Sequence, residues 1–393
     1  MLFDPDRHEP LTGTAWDASR AHEALTAIVR DTEQQRLPSG HWPVHPNDED
    51  GELPSDGAFK SLYLGSAGVW WALWTLQREG AVALTQDPAA GIAQAVAAYA
   101  AAPDTGEVVP SYFLGSVGID LVHWRITGAP AAADAVFAAV EANIPNATNE
   151  ALWAAPGTMV AAWHLWLATG DARWQTLYDA NVEQLWRTWL FDDVSRCHLW
   201  SQDMYGRHTQ YLGAGHGFVG NAYALLLAGD ASSELVARVE AMLQRFAIEL
   251  EGAANWPALP GAEKRLLQWC HGAAGVVTAL AGLPPGRSAV VDRLLLAGGE
   301  AVWRAGPLSK GPGLCHGTAG NGYALLKLHR RTGDGRWLQR ARSFAMHAVV
   351  QCERGRLALG RGRYTLWTGD LGVALYLWHC IQAEDTMPAL DRV

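Results

Sequence analysis

The chain has 393 residues, 49% of them apolar, which is enough for one large domain or two ordinary ones with a sizeable core. Its 40 Asp and Glu outnumber its 30 Lys and Arg, and the net charge of −10 argues against a nucleic-acid partner, because affinity for phosphate backbones comes mainly from clustered cations. The polar first ten residues contain no apolar signal region, and no apolar run is long enough to span a bilayer.

The five cysteines are odd in number and widely spaced, so they do not resemble a disulfide framework. We therefore expect a cytoplasmic protein that does not insert into membranes. A reducing compartment would keep Cys270 and Cys315 available as thiolates.

A small-residue phrase, usually Gly-x-x-Gly before an apolar run, recurs seven times along the chain. The phrases begin at Gly65, Gly115, Ala154, Gly217, Gly272, Gly317 and Gly369. The third phrase is degenerate, because an alanine replaces its first glycine. Each phrase introduces a mostly apolar segment of helical character.

The segments between the phrases have the 3.6-residue period of amphipathic helices. They cover 16–35, 88–102, 130–143, 171–189, 231–251, 288–303 and 335–351. Seven amphipathic and seven apolar helices predict an all-α, double-layered α/α toroid of seven helix pairs, closed so that no end repeat needs a cap. We expect one domain over 1–393, with 1–15 as an irregular N-terminal segment.

Three phrases carry His or Cys at the start of an inner helix: His216, Cys270 with His271, and Cys315 with His316. A closed ring would bring them together at the end where helix N–H groups and positive dipole ends lie. Thiolate and imidazole are ligands that zinc prefers. The alternative is structural, since a buried Cys packs as a small hydrophobe and glycines permit tight helix packing.

The remaining cysteines, Cys197, Cys352 and Cys380, lack the glycine phrase, and we interpret them as structural.

These phrases resemble the lanthionine synthetase C-like (LanC-like) family, from about Lys60 to the C-terminus. The segments that carry the resemblance are 215–217, 269–272, 310–321 and 364–372. The resemblance implies a toroid with seven inner helices. It also implies a Zn²⁺ ion held by Cys270, Cys315 and His316, with the fourth position open to water or a substrate thiol, as catalytic zinc requires.

The resemblance implies two versions of one reaction. Cyclases of the family add a peptide cysteine to dehydroalanine or dehydrobutyrine and form a thioether ring. The eukaryotic branch binds glutathione and is similar to a glutathione transferase that acts on dehydroamino acids. In either version the expected partners are a dehydrated peptide or protein and a thiol. Because the toroid fills the chain, a separate dehydratase would have to make the substrate.

The same resemblance assigns roles to individual residues. His216 is the candidate acid that protonates Cα, and His271 assists proton transfer or orients the thiol. Glu150 would orient His216. Lys310 would meet a substrate carboxylate. Independently of the resemblance, Arg363 precedes the last glycine phrase and is a further candidate contact for an acidic substrate.

Departures from the cyclase pattern favour the glutathione-binding branch. Cyclases often have Tyr where this chain has His271 and Asp where it has Glu150, and Leu266 stands where they place an Arg.

Two other functional classes are compatible with the sequence. One is a zinc protein that captures glutathione or a peptide without turnover. The other is a toroidal sugar enzyme, suggested by the helix pairs and 19 Trp, which would use paired carboxylates and would not need Cys270 or Cys315.

Overall fold

Seven apolar helices alternate along the chain with seven amphipathic ones, over the residues that the computed structural model describes, 1–48, 53–229 and 231–393. The apolar helices are α2 (Ser66–Arg78), α4 (Ser116–Thr127), α6 (Ala155–Thr169), α8 (Phe218–Leu226), α10 (Ala273–Leu280), α12 (Thr318–Thr332) and α14 (Asp370–Gln382). The amphipathic helices are α1 (Ala18–Gln34), α3 (Pro88–Ala101), α5 (Pro130–Asn143), α7 (Ala172–Thr188), α9 (Ser233–Phe246), α11 (Ala289–Ala305) and α13 (Gly335–Leu359).

The apolar helices form a closed inner ring. Each contacts the next in the order α2, α4, α6, α8, α10, α12 and α14, and α14 returns to α2. The amphipathic helices pack on the outside of this ring, as α7 does on α6 and α13 does on α12 and α14. The prediction of a double-layered α/α toroid of seven helix pairs is thereby confirmed.

Burial explains which helices lie inside. Every residue of α10 is buried, so this helix has no face for water. In α9 only a stripe is buried, formed by Leu235, Val236, Val239, Met242 and Leu243, and the opposite face is polar. This spacing is the one expected for a helix that covers a core on one side.

The second glycine of each phrase permits a close backbone approach. A Cβ atom at Gly118, for example, would lie 1.9 Å from the carbonyl oxygen of Tyr112, six residues earlier. The same clash with the carbonyl six residues earlier would occur in the other phrases, at Gly68, Gly157, Gly220, Gly275, Gly320 and Gly372. The loop before each inner helix therefore folds tightly against the first helical turn.

The first glycine of the phrase is less uniformly required. Gly217 and Gly272 have φ of 107° and 108°, which side chains rarely adopt. Ala154 has φ of −119°, which any residue adopts, so the degenerate third phrase keeps the same fold.

The free helix N–H groups expected at the site end are already paired. In most inner helices the first N–H donates to a carbonyl seven residues earlier, as from Thr318 to Gly311 and from Asp370 to Arg363. In α10 the N–H of Ala273 donates to the side chain of Asn255 instead. The first N–H groups of these helices thus bind the loops that precede them and are not available to bind an anion.

Three antiparallel hairpins, which the sequence did not indicate, project from the described part of the toroid. They are β1 (Leu190–Asp192) with β2 (Cys197–Leu199), β3 (Gln202–Met204) with β4 (Arg207–Thr209), and β5 (Ile248–Leu250) with β6 (Ala253–Asn255). The helix predicted over 231–251 is therefore wrong at its C-terminal end. Glu251 and Gly252 have φ of 51° and 78°, a tight left-handed turn that reverses the chain.

Both chain ends pack against the toroid. The segment 1–15 has a short 3₁₀ turn at Pro5–Arg7 and an isolated antiparallel bridge from His8 to Leu308. Leu2 is buried, and its carbonyl accepts from Asn255. Near the other end, Asp391 accepts from Lys327 at 2.7 Å and from Tyr223 at 3.0 Å. Within the described ranges, no helix is both long and apolar enough to cross a membrane.

The glycine phrases give a matched test of stability. Gly118→Ala should lower the free energy of unfolding by about 1–3 kcal/mol or more, because the new methyl overlaps a backbone carbonyl that cannot move freely. Gly355→Ala, in α13 with open space around it, should raise it by roughly 0.5–1 kcal/mol through helix propensity. Chemical unfolding measures both, and equal stabilities for the two variants would contradict the packing role.

Candidate metal centre and active site

Six of the seven loops that precede the inner helices meet in one run of backbone hydrogen bonds. Each loop contributes the residue two positions before the first residue of its glycine phrase. The N–H of that residue donates to the carbonyl of the equivalent residue in the adjacent loop. The order is Gly215 to Cys270 (3.2 Å), Cys270 to Cys315 (3.1 Å), Cys315 to Trp367 (2.9 Å), Trp367 to Tyr63 (3.3 Å) and Tyr63 to Phe113 (2.9 Å). We call this run the backbone belt. It places Cys270 and Cys315 at equivalent positions of adjacent repeats, and a backbone hydrogen bond joins the two residues.

The belt brings the three predicted metal ligands together. The ligand atoms of Cys270, Cys315 and His316 all lie within 4.8 Å of one another. Both cysteines are buried, and His316 is partly buried. Two sulfurs and one imidazole within this distance form the donor set of a zinc site with one position open.

The thiols of Cys270 and Cys315 interact with one another without a metal. Hydrogen bonding from Cys315 lowers the pKa of Cys270 well below its usual value against the effect of burial, and His316 adds a second hydrogen bond. The same interaction and burial raise the pKa of Cys315. The side-chain amide of Gln268 also donates to the Cys270 sulfur at 3.0 Å. The pocket thus stabilises a thiolate, the form that binds a metal, and the residues fit zinc.

His216 is held by a buried carboxylate. Its Nδ1 lies 2.8 Å from Oε2 of Glu150, which is fully buried and also accepts from the backbone N–H groups of Leu152 and Trp153. Burial opposes protonation of His216, but the hydrogen bond and charge of Glu150 outweigh it and raise the pKa of His216. With Nδ1 donating to the carboxylate, Nε2 is left for a substrate.

His271 lies beside His216 in a different electrostatic state. Its ring is stacked on His216 at 5.7 Å and faces Tyr211 at 5.5 Å between centroids. Burial lowers the pKa of His271, and the charge of Cys270 offsets this only in part. Its Nδ1 is buried without a hydrogen-bond partner among the described residues. One imidazole of the pair therefore favours a proton and the other disfavours it, a difference typical of acid and base assignments.

Three residues of the site were missed by the sequence analysis: Tyr63, Gln268 and Tyr211. The phenol of Tyr63 is within hydrogen-bonding reach of the Cys315 thiol, and its ring lies parallel to that of Trp367 at 6.0 Å. Burial, and then the charges of Cys315 and Cys270, raise the pKa of Tyr63. The available signal was position, since Tyr63 precedes its glycine phrase by two residues, as the two cysteines do.

Lys310 and Arg363 lie together in one cavity, whose described walls include none of the three metal ligands. Both line a cavity of about 370 Å³ whose walls also carry other cationic side chains, namely Arg354, Arg356 and Arg361. The charge of Lys310 reaches Cys315, where it acts to lower the thiol pKa. Arg363 is nearly buried and paired with Asp48, which accepts from its Nε at 2.8 Å. The structure thus gives Arg363 an internal partner, and its role as a substrate contact stays a prediction.

The sequence-predicted residues thus fall into two groups. Glu150, His216 and His271 meet the three metal ligands at one end of the ring. Lys310 and Arg363 line a cavity whose walls include none of these six residues. Cys197, Cys352 and Cys380 are free and buried outside the cluster.

Comparison with known families gives one match that covers most of the chain. The sequence model of the family described as "Lanthionine synthetase C-like protein" matches residues 59–391.

Two curated relatives match over a shorter part. "Glutathione S-transferase LANCL1" from Danio rerio is 36% identical over 142 residues, 35% of this chain and 35% of its own. "LanC-like protein GCL1" from Arabidopsis thaliana is 36% identical over 145 residues, 35% of this chain and 33% of its own. The match therefore spans about a third of each relative.

Among solved structures, nisin cyclase has a similar fold. The superposition covers 95% of this chain and 99% of that one, with a TM-score of 0.63 and 14% identity. This likeness shows the toroid fold.

The His216–Glu150 pair predicts a pH dependence of stability. Because the pKa of His216 is raised in the folded state, its protonation stabilises the fold fully below the unfolded pKa of about 6.5, and this contribution is lost as the pH rises through the folded pKa. Glu150→Gln should therefore lower stability more at pH 6 than at pH 9, as measured by chemical unfolding.

The matched control is Asp203→Asn, which alters the pair between Asp203 and His208, where both side chains are exposed. An exposed pair contributes little, so this variant should change stability slightly at both pH values. A pH-independent loss for Glu150→Gln would contradict the proposed charge state of His216.

Proposed function

Since the chain belongs to the lanthionine synthetase C-like family, we propose that it catalyses the zinc-dependent addition of a thiol to dehydroalanine or dehydrobutyrine in a peptide or protein. The thiol is glutathione or a peptide cysteine, and the product is a thioether of the lanthionine type. The S–H bond adds across the Cα=Cβ bond, so sulfur joins Cβ, a proton joins Cα, and no oxidant is needed. The observation that supports this most is the meeting of Cys270, Cys315 and His316 within 4.8 Å beside the His216–Glu150 pair.

The metal ligands in this proposal are Cys270, Cys315 and His316. When bound, zinc lowers the pKa of a thiol far below its usual value of about 8.5, so that the nucleophile is present at neutral pH. Gln268 helps to orient the site, because its amide fixes the Cys270 sulfur at 3.0 Å.

The two imidazoles divide the proton transfers. His271, whose pKa is lowered by burial, accepts the thiol proton. His216, whose protonated form Glu150 stabilises, delivers a proton from Nε2 to Cα of the substrate. One proton moves overall from sulfur to carbon, and exchange with solvent resets both rings. A positioned acid or base of this kind contributes on the order of 10²–10⁴ in rate.

Lys310 supports the choice of thiol donor. Its ammonium lines the basic cavity, its charge reaches Cys315, and it fits a carboxylate of glutathione. The relative named a glutathione S-transferase favours the same donor. The dehydrated acceptor would come from a separate dehydratase. Intramolecular cyclisation is the second version of this proposal, supported by the fold shared with nisin cyclase, and capture without turnover is the non-catalytic alternative.

Metal content and product mass test the proposal together. Wild type and His216→Ala should carry about one zinc per chain, and Cys315→Ala should carry almost none, because it removes one of the ligands. With glutathione and a dehydroalanine peptide, wild type should yield the peptide plus one glutathione. His216→Ala should slow this by about 10²-fold or more.

Cys197→Ala is the matched control, since Cys197 is a buried free cysteine outside the cluster. This variant should change neither the zinc content nor the rate of adduct formation. Full zinc in Cys315→Ala would refute the metal site. An unchanged rate in His216→Ala would remove that residue from the reaction. Zinc without an adduct in wild type would favour either a dedicated cyclase that needs its own precursor or capture without turnover.

Lys310 gives a separate test of donor binding. Lys310→Met should raise KM for glutathione about tenfold, as expected for the loss of one charge-assisted contact, and should leave KM for the peptide unchanged. Lys264→Met, at an exposed site, is the control. Steady-state kinetics with each substrate varied in turn gives both constants, and an unchanged KM for glutathione would exclude the contact.

A further inference from the structure

Tyr205 adopts a conformation that its residue type disfavours. It occupies the first corner of the β3–β4 turn with φ of 54°, and Gly206 follows with φ of 70°. A two-residue hairpin turn with both corners left-handed strongly prefers Asn, Asp or Gly at the first position. A bulky aromatic residue in the left-handed region is an outlier, and such outliers cluster at functional sites.

The Tyr205 side chain is also exposed and tied to the catalytic pair. Its relative accessibility is 70%. Its hydroxyl accepts from the indole N–H of Trp153 at 3.1 Å, and the backbone N–H of Trp153 donates to Glu150 at 2.7 Å. Glu150 in turn holds His216. The tyrosine ring therefore stands in solvent, one side chain away from the carboxylate that orients the proposed acid.

The hairpin that presents Tyr205 is firmly anchored at its base. Gln202 is fully buried, and its side-chain oxygen accepts from the N–H of Tyr211 at 2.7 Å. The N–H of Asp203 donates to the carbonyl of Ala147 at 3.0 Å. Tyr211 faces both imidazoles, and Ala147 belongs to the loop that leads to Glu150. The hairpin thus links the two segments that carry the proton-transfer residues.

We propose that Tyr205 is a substrate-positioning residue, whose exposed ring packs against the peptide that carries the dehydro residue. This inference rests on the proposed function. An aromatic ring buries a large area against a peptide at low cost in side-chain entropy. The occupant is the peptide and not the thiol donor, because Tyr205 stands on the His216 side, where Cα must receive its proton. Lys310, which lines the basic cavity, acts on Cys315 instead through its charge.

A substitution that removes the aromatic ring of Tyr205 but suits the turn distinguishes a substrate-positioning role from a structural one. Asn is favoured at a left-handed first corner, so Tyr205→Asn should fold at least as stably as wild type. The matched control is Glu251→Asn, because Glu251 occupies the same corner of the β5–β6 turn with φ of 51°, outside the site. Thermal unfolding checks both variants.

The probe is a peptide in which Ala replaces dehydroalanine, so that binding is read by calorimetry without reaction. Tyr205→Asn should weaken its binding about tenfold and raise KM for the dehydroalanine peptide by a similar factor, with KM for glutathione unchanged. Tyr205→Phe keeps the ring and should retain most of the binding. Glu251→Asn should change none of these values.

Three results would overturn the inference: unchanged binding in folded Tyr205→Asn, an equal rise in both KM values, or no binding of the Ala peptide by wild type. A failure of the proposed function looks different. In that case wild type forms no adduct, while the calorimetric loss in Tyr205→Asn is still measured.

Discussion

The site depends on the backbone belt that joins the loops before the inner helices. Because each loop bonds to its neighbour through main-chain groups, the positions two residues before the phrases are fixed relative to one another whatever their side chains. Two neighbouring positions carry cysteines, and their backbones are joined by a hydrogen bond of 3.1 Å. The toroid therefore positions a pair of sulfurs through ring closure, and the glycines allow the loops to approach closely enough for it.

Within this backbone arrangement, the local environment gives chemically similar side chains different pKa values. Two stacked imidazoles have pKa values moved in opposite directions, His216 upward by Glu150 against burial and His271 downward by burial. An addition that takes a proton from sulfur and gives one to carbon needs this kind of division between neighbouring groups.

Repetition made much of this predictable from the sequence. Seven glycine phrases gave the helix pairs, and ring closure implied that Cys270, Cys315 and His216 would converge. Contacts without a repeated pattern were not predictable. Asp48 is 315 residues before Arg363, and nothing in either neighbourhood indicates that they pair. Gln268 has a common residue type in an unremarkable position, whereas the position of Tyr63 two residues before its phrase was a signal that its residue type did not reinforce. The hairpin after α9 depends on a left-handed turn at Glu251, which the residue type does not indicate.

The most direct test of the account is X-ray absorption at the zinc edge of the purified protein, before and after glutathione is added. We predict two sulfur ligands at about 2.3 Å with nitrogen or oxygen at about 2.0–2.1 Å. Addition of glutathione should raise the sulfur count from two to three, because the thiol takes the open position. A sulfur count that stays at two with saturating glutathione, or a site closed by four protein ligands, would contradict the central claim.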